Sequence, residues 1–192
     1  MSIAILGWGS LLWDLDDLAP KVDGNWQMGA GPRLPMEFSR ISPKRKMGLV
    51  VCLDPENGAP CPTHAIQSIR ADIIETVADL AARERCTQGQ IGYATPGQAR
   101  SRLPSVAASV QDWLSETGWS GAVWTDLDPN FAAERGEAFS VARGMAYLRT
   151  LRGESWAEAH RYIAQAPAQT DTPLRRALAR EDWWRAPSGG DI

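Results

Sequence analysis

The stretch Ser2-Ile3-Ala4-Ile5-Leu6-Gly7-Trp8-Gly9-Ser10-Leu11 carries the reading of the fold. Residues 2–8 form a continuous apolar run of strand length, the pattern of a central strand buried on both faces. Side chains alternate along a strand, so Gly7 and Gly9 share a face and leave room on it for a ligand or another backbone. At Ser10 successive backbone N–H groups leave the ladder, and such groups can form a nest for a carboxylate or a developing oxyanion. A buried strand ending in a tight turn uses the same glycines with no chemical purpose. Both readings stand at this point. The third glycine and the helix-plus-acid context of a dinucleotide fingerprint are missing.

Pro20, Gly24, Gly29, Gly31, Pro32 and Pro35 punctuate the next segment and predict a looped region. Strands are expected at 36–41 and 47–53, separated by a basic turn at 42–46, and another at 63–70. A helix follows, with Asp72 as its cap and Glu75 three residues on in a capping-box-like arrangement. Ile73, Ile74, Val77, Leu80 and Ala81 form its apolar stripe, while Asp79 reads as an acid on the solvated face. A strand at 90–94, a helix at 105–116 stopped by Gly118 and a strand at 122–127 come next. The remainder reads as helical at 133–151, 156–165 and 172–184, the last opening on Thr172-Pro173. Strands early and helices late predict an α+β fold with a small sheet or barrel, not a doubly wound sheet. At 192 residues the chain suits a single domain, with an α+β core over about 1–130 and a helical extension over about 131–192 packed on it.

Composition narrows the function. A net charge of −3, with arginines spread along the chain and no basic stripe, argues against nucleic acid as partner. No apolar run approaches the ~20 residues of a membrane span. The N-terminal run lacks a basic n-region, so it reads as a strand and not a signal peptide. Cys52, Cys61 and Cys86 include no CxxC pair, and the odd count suits a reducing cytoplasm. His64 and His160 lie far apart without ligand spacing, so no metal site is expected and both read as structural or surface residues. Nine tryptophans fit core and ligand-wall uses equally.

Glu84 is the second place where chemistry can sit. Leu80 at i−4, Ala81 at i−3 and Val77 at i−7 put it on the continuation of the apolar stripe, with Arg83 and Arg85 turned off to either side. A carboxylate there is costly to ionise, and the C-terminal end of the helix dipole adds to that cost, as suits a general base near neutral pH. A helix-end acid paired with a nearby arginine fits the same pattern.

Gly-Trp-Gly-Ser-Leu-Leu-Trp at the end of the first strand resembles the Tyr-Gly-Ser motif of the γ-glutamylcyclotransferase-like superfamily, which includes γ-glutamylamine cyclotransferase and the ChaC-type glutathione-degrading enzymes. Phe38-Ser39-Arg40 ahead of Leu49-Val50-Val51, and the helix ending Leu80-Ala81-Ala82-Arg83-Glu84, are similar to segments of that superfamily in the same order. The resemblance covers about residues 2–94. It implies a small mixed β-barrel or sheet flanked by helices, with a binding turn at Gly9, Ser10 and Leu11 and with Glu84 as general acid/base. Trp8 stands where the family has Tyr, keeping an aromatic ring but replacing a hydroxyl that donates and accepts with an indole that only donates. The implied reaction closes a γ-glutamyl compound to 5-oxoproline and releases an amine or peptide, without metal or organic cofactor. Arg40 is then a partner for a substrate carboxylate. The alternative on the same fold is a non-catalytic carboxylate-binding or regulatory protein. Oligomeric state is not legible in these patterns.

Overall fold

The computed structural model describes residues 2–185. In chain order the elements are β1 (Ile3–Gly7), β2 (Val22–Gln27), β3 (Arg33–Ser42), β4 (Gly48–Leu53), β5 (Ala59–Pro62), β6 (His64–Ser68), α1 (Ile73–Glu84), β7 (Ile91–Thr95), β8 (Gln98–Arg100), α2 (Pro104–Thr117), β9 (Gly121–Thr125), α3 (Phe131–Arg135), α4 (Val141–Thr150), α5 (Gly153–Gln165), α6 (Pro173–Leu178) and α7 (Asp182–Arg185). The fold is α+β, and its sheets are open; neither closes into a barrel. The chain packs as two compact units, one of Met1–Leu34 with Pro62–Leu127, the other of Pro35–Cys61 with Asp128–Ile192. Residues 35–61 therefore belong with the late helices, a different division from a 1–130 core with an extension.

In the first unit the sheet order is β2-β6-β1-β9-β7-β8. β1 runs parallel to β9 and antiparallel to β6, and all five of its residues are buried, as its unbroken apolar run requires. The looped reading of the segment after β1 is corrected by β2: Val22-Asp23-Gly24-Asn25-Trp26-Gln27 has no apolar alternation, yet it pairs along β6 at the sheet edge. α1 is capped by Asp72, whose carboxylate accepts from the N–H groups of Ile74 at 2.8 Å and Glu75 at 2.9 Å. It lies on one face of the sheet, where Val77, Leu80 and Ala81 pack with Ile5, Ile66 and Val123.

The buried face of α1 is rotated from the apolar stripe. Ile74 is 52% exposed, whereas Thr76, Asp79 and Arg83 are buried. Asp79 is thus not a solvated acid: it holds Lys21 Nζ at 2.8 Å and Arg70 Nε at 2.7 Å. Burial works to raise its pKa, but the hydrogen bonds from Arg70 and Lys21 outweigh it and hold the carboxyl below its ordinary value.

The second unit is built on the antiparallel sheet β4-β3-β5. Gly48 lets α5 approach β4, because a Cβ there would stand 3.2 Å from Ala159. Glu37 on β3 is fully buried and accepts from the N–H groups of Phe38 at 2.7 Å and Leu174 at 3.0 Å, tying α6 to the sheet. The helix expected over 133–151 is broken into α3 and α4 at Gly136, which takes φ +72°, and that expected over 172–184 is broken into α6 and α7. Trp184 is buried edge-on against Trp156, and its carbonyl lies 3.1 Å from His160 Nε2.

Candidate active site at the carboxyl end of β1

β1 ends in an abrupt change of backbone. Trp8 is still extended, at φ −156° and ψ 173°, and alternation turns its indole to the face opposite Ile5 and Gly7. Gly9 then takes φ +55°, a conformation that disfavours side chains, and opens a 3-10 turn over Gly9–Leu12. The turn is closed by the Ser10 carbonyl, which accepts from the N–H groups of Trp13 at 3.2 Å and Asp14 at 2.9 Å. Gly9, Ser10 and Leu11 are all buried. The Leu11 side chain joins the core beneath α1, so only its backbone is available to a ligand.

α1 delivers two charged residues to this turn. Its last residue is Glu84, and Arg85 stops the helix at φ +56° by donating its N–H to the carbonyls of Ala81 and Ala82. Arg83 does not turn away from the sheet, contrary to the stripe geometry. Its side chain is 2% exposed, against 17% for Glu84. One guanidinium nitrogen donates to Glu84 Oε1 at 2.7 Å, and the other reaches Ser10 Oγ at 3.5 Å and the carbonyl of Asp14. The structure therefore brings Ser10 and Glu84 together through Arg83, and Glu84 is also the arginine-paired helix-end acid that the pattern allowed. Arg40 belongs to the second unit, where its guanidinium donates to the carbonyl of Asp128.

The room expected over Gly7 is occupied. A Cβ built there would fall 2.3 Å from Cη2 of Trp26, so the indole from β2 fills the space the glycine leaves. Trp124 does the same at Gly92. Directly across from Gly7 in the ladder stands His64, wholly buried, with its Nδ1 accepting the Gly29 N–H at 2.8 Å. Burial lowers the His64 pKa, so the ring is neutral and its proton sits on Nε2. His64 Nε2, Trp26 Nε1 and Arg83 Nε are buried without a hydrogen-bond partner among the described residues.

Asp126, just beyond β9, is buried on the other face of the sheet from α1 by alternation. Its Oδ2 accepts the Arg102 N–H at 2.6 Å, and burial pushes its pKa up. Among the described residues no three His, Cys, Asp or Glu side chains gather as a metal site, and no helix is long and apolar enough to cross a membrane.

Sequence reasoning missed Arg83, His64 and Trp26 as site residues. One signal for Arg83 was present, since Thr76, Asp79 and Arg83 recur at i, i+3 and i+7 as a polar stripe beside the apolar one. Nothing local marks Trp26, whose partner Gly7 lies nineteen positions earlier in the chain.

Comparison of the chain with protein-family models, curated proteins and solved structures finds no match.

Proposed function

We propose that this chain is a γ-glutamylcyclotransferase-like enzyme that closes a small γ-glutamyl compound to 5-oxoproline. The observation that carries the reading is the Ser10–Arg83–Glu84 arrangement, in which a half-buried carboxylate is fixed beside a turn of buried backbone N–H groups. The α-amine of the substrate attacks its own side-chain carbonyl, one C–N bond forms, and the C–N bond to the leaving amine or peptide breaks. Glu84 takes a proton from the ammonium and returns one to the departing nitrogen. The Gly9-Ser10-Leu11 turn offers N–H groups to the oxyanion. Because attack is intramolecular, holding the folded-back conformer supplies much of the acceleration, up to about 7–11 kcal/mol for well-oriented groups. Arg83 acts as a positioning residue, since it sets where the Glu84 carboxylate stands.

The test is release of 5-oxoproline from a panel of γ-glutamyl amines and peptides. Glu84→Gln is expected to lower turnover by about 10²-fold or more, as loss of a general acid/base does. Turnover that survives Glu84→Gln removes this residue from the mechanism. A second reading, a carboxylate-binding protein without turnover, draws on the 2.7 Å pairing that occupies Glu84 Oε1 with Arg83. Binding of the panel with no 5-oxoproline formed decides for it.

A further inference from the structure

His64, Trp26 and Arg83 stand at one place in the fold. His64 is the ladder partner of Gly7, the Trp26 ring lies over Gly7, and the Arg83 guanidinium reaches Ser10, three residues further along. Each carries a buried nitrogen with no partner among the described residues. Each of those nitrogens is a donor. The Gly29 N–H occupies His64 Nδ1, which leaves the proton of the neutral ring on Nε2, and indole and guanidinium nitrogens only donate. Buried polar groups in folded proteins are nearly always hydrogen-bonded, so an unpaired one calls for an explanation. Three donors and no unpaired acceptor call for a group rich in lone pairs that needs to donate nothing. A carboxylate is such a group, with two oxygens and about four lone-pair sites.

We infer that these three donors bind the α-carboxylate of the substrate's amino-acid head group, while Glu84 faces its α-ammonium. The inference rests on the cyclotransferase reading for the identity of the substrate, and it commits the site to compounds whose α-carboxylate is free. A glutamyl head group carries both charges on one carbon. Glu84 and the donor set meet the opposite charges from opposite sides, and Arg83 touches both. An ester or amide at the α-position keeps its carbonyl but loses the charge, and charge-assisted hydrogen bonds are roughly twice as strong as neutral ones.

The probes are 5-oxoproline, which retains the carboxylate, and its carboxamide, which does not. In ¹H–¹⁵N spectra of the unmodified full chain, 5-oxoproline is expected to shift the Trp26 indole and His64 Nε2 resonances, assigned through Trp26→Phe and His64→Asn. The Asn amide oxygen can still accept the Gly29 N–H, while the Nε2 donor is lost. Each variant is expected to weaken 5-oxoproline binding about tenfold or more, and the carboxamide is expected to bind the unmodified protein at least about tenfold less tightly than the acid. Unmoved resonances, equal binding of acid and amide, or full affinity in both variants overturn the donor assignment. If Glu84→Gln abolishes turnover while both donor variants bind normally, the donor assignment alone falls. Donor-dependent binding of the acid without turnover upholds the assignment and sinks the cyclotransferase reading.

Discussion

At the scale of single residues, the site is organised by two buried groups whose states differ. Arg83 stays charged because three acceptors surround it, a carboxylate, a carbonyl and a hydroxyl. His64 stays neutral because burial disfavours its charged form. That difference has a consequence for stability against pH. The unfolded chain binds a proton at His64 near pH 6.5, whereas the folded chain resists it until a lower pH. The unfolded state therefore holds more protons in that window, and stability falls as pH drops from 6.5 towards the lower folded value. Urea midpoints measured for the protein and for His64→Asn between pH 5.5 and 7.5 are expected to show this slope in the former and a flatter one in the latter. Equal slopes would remove His64 as its source.

At the scale of elements, β1 and β2 fit together through a residue that is absent. Gly7→Ala places a methyl group 2.3 Å from the Trp26 ring, which overpacks the face and is expected to cost about 1–3 kcal/mol in urea unfolding. Trp26→Leu in the same chain frees that space, so the double variant is expected to lose less than the sum of the two single changes. The tie between β3 and α6 is electrostatic. Burial raises the Glu37 pKa, against hydrogen bonds from Thr172, Phe38 and Leu174 that lower it. The folded chain then keeps its proton above pH 4.5 while the unfolded chain releases it, so this residue's stability contribution declines as pH rises from 4.5 through the raised folded value. Glu37→Ala removes that decline and leaves the Phe38 and Leu174 N–H groups without their acceptor. The expected loss is at least about 2 kcal/mol, read from urea midpoints at fixed pH.

At the scale of the whole molecule, each unit is assembled from two separated stretches of chain, so neither is removed by one cut. The core beneath α1 comes entirely from the first unit's residues. The sheet β4-β3-β5 relies on helices that arrive late in the sequence, with α5 packed on β4 through Gly48 and Ala159. Ending the chain at Leu127 strips those helices away. The expected result is fast amide exchange and dye binding at β3 and β4, with protection retained in β1 and β9. Loss of protection in β1 as well would show that the first unit's core does not stand on its own residues.

The amino-acid sequence alone determined the features that depend on near neighbours. The apolar run at residues 2–8 made β1 a central strand, since nothing on either face tolerates water. Asp72 began α1, and Gly118 ended α2, through hydrogen bonds made within a few residues. The order of strands and helices set the α+β class, and the turn at Gly9-Ser10-Leu11 was visible in its glycines. Tertiary structure decided which way α1 faces, because Asp79 and Arg83 are buried only by virtue of partners at Lys21, Arg70, Ser10 and Asp14. It also decided that an indole occupies the space over Gly7 and that His64 carries its proton on Nε2. Periodicity describes how a residue is placed on its own element. The burial of a charge or the filling of a glycine is set by groups that only the folded chain brings within reach.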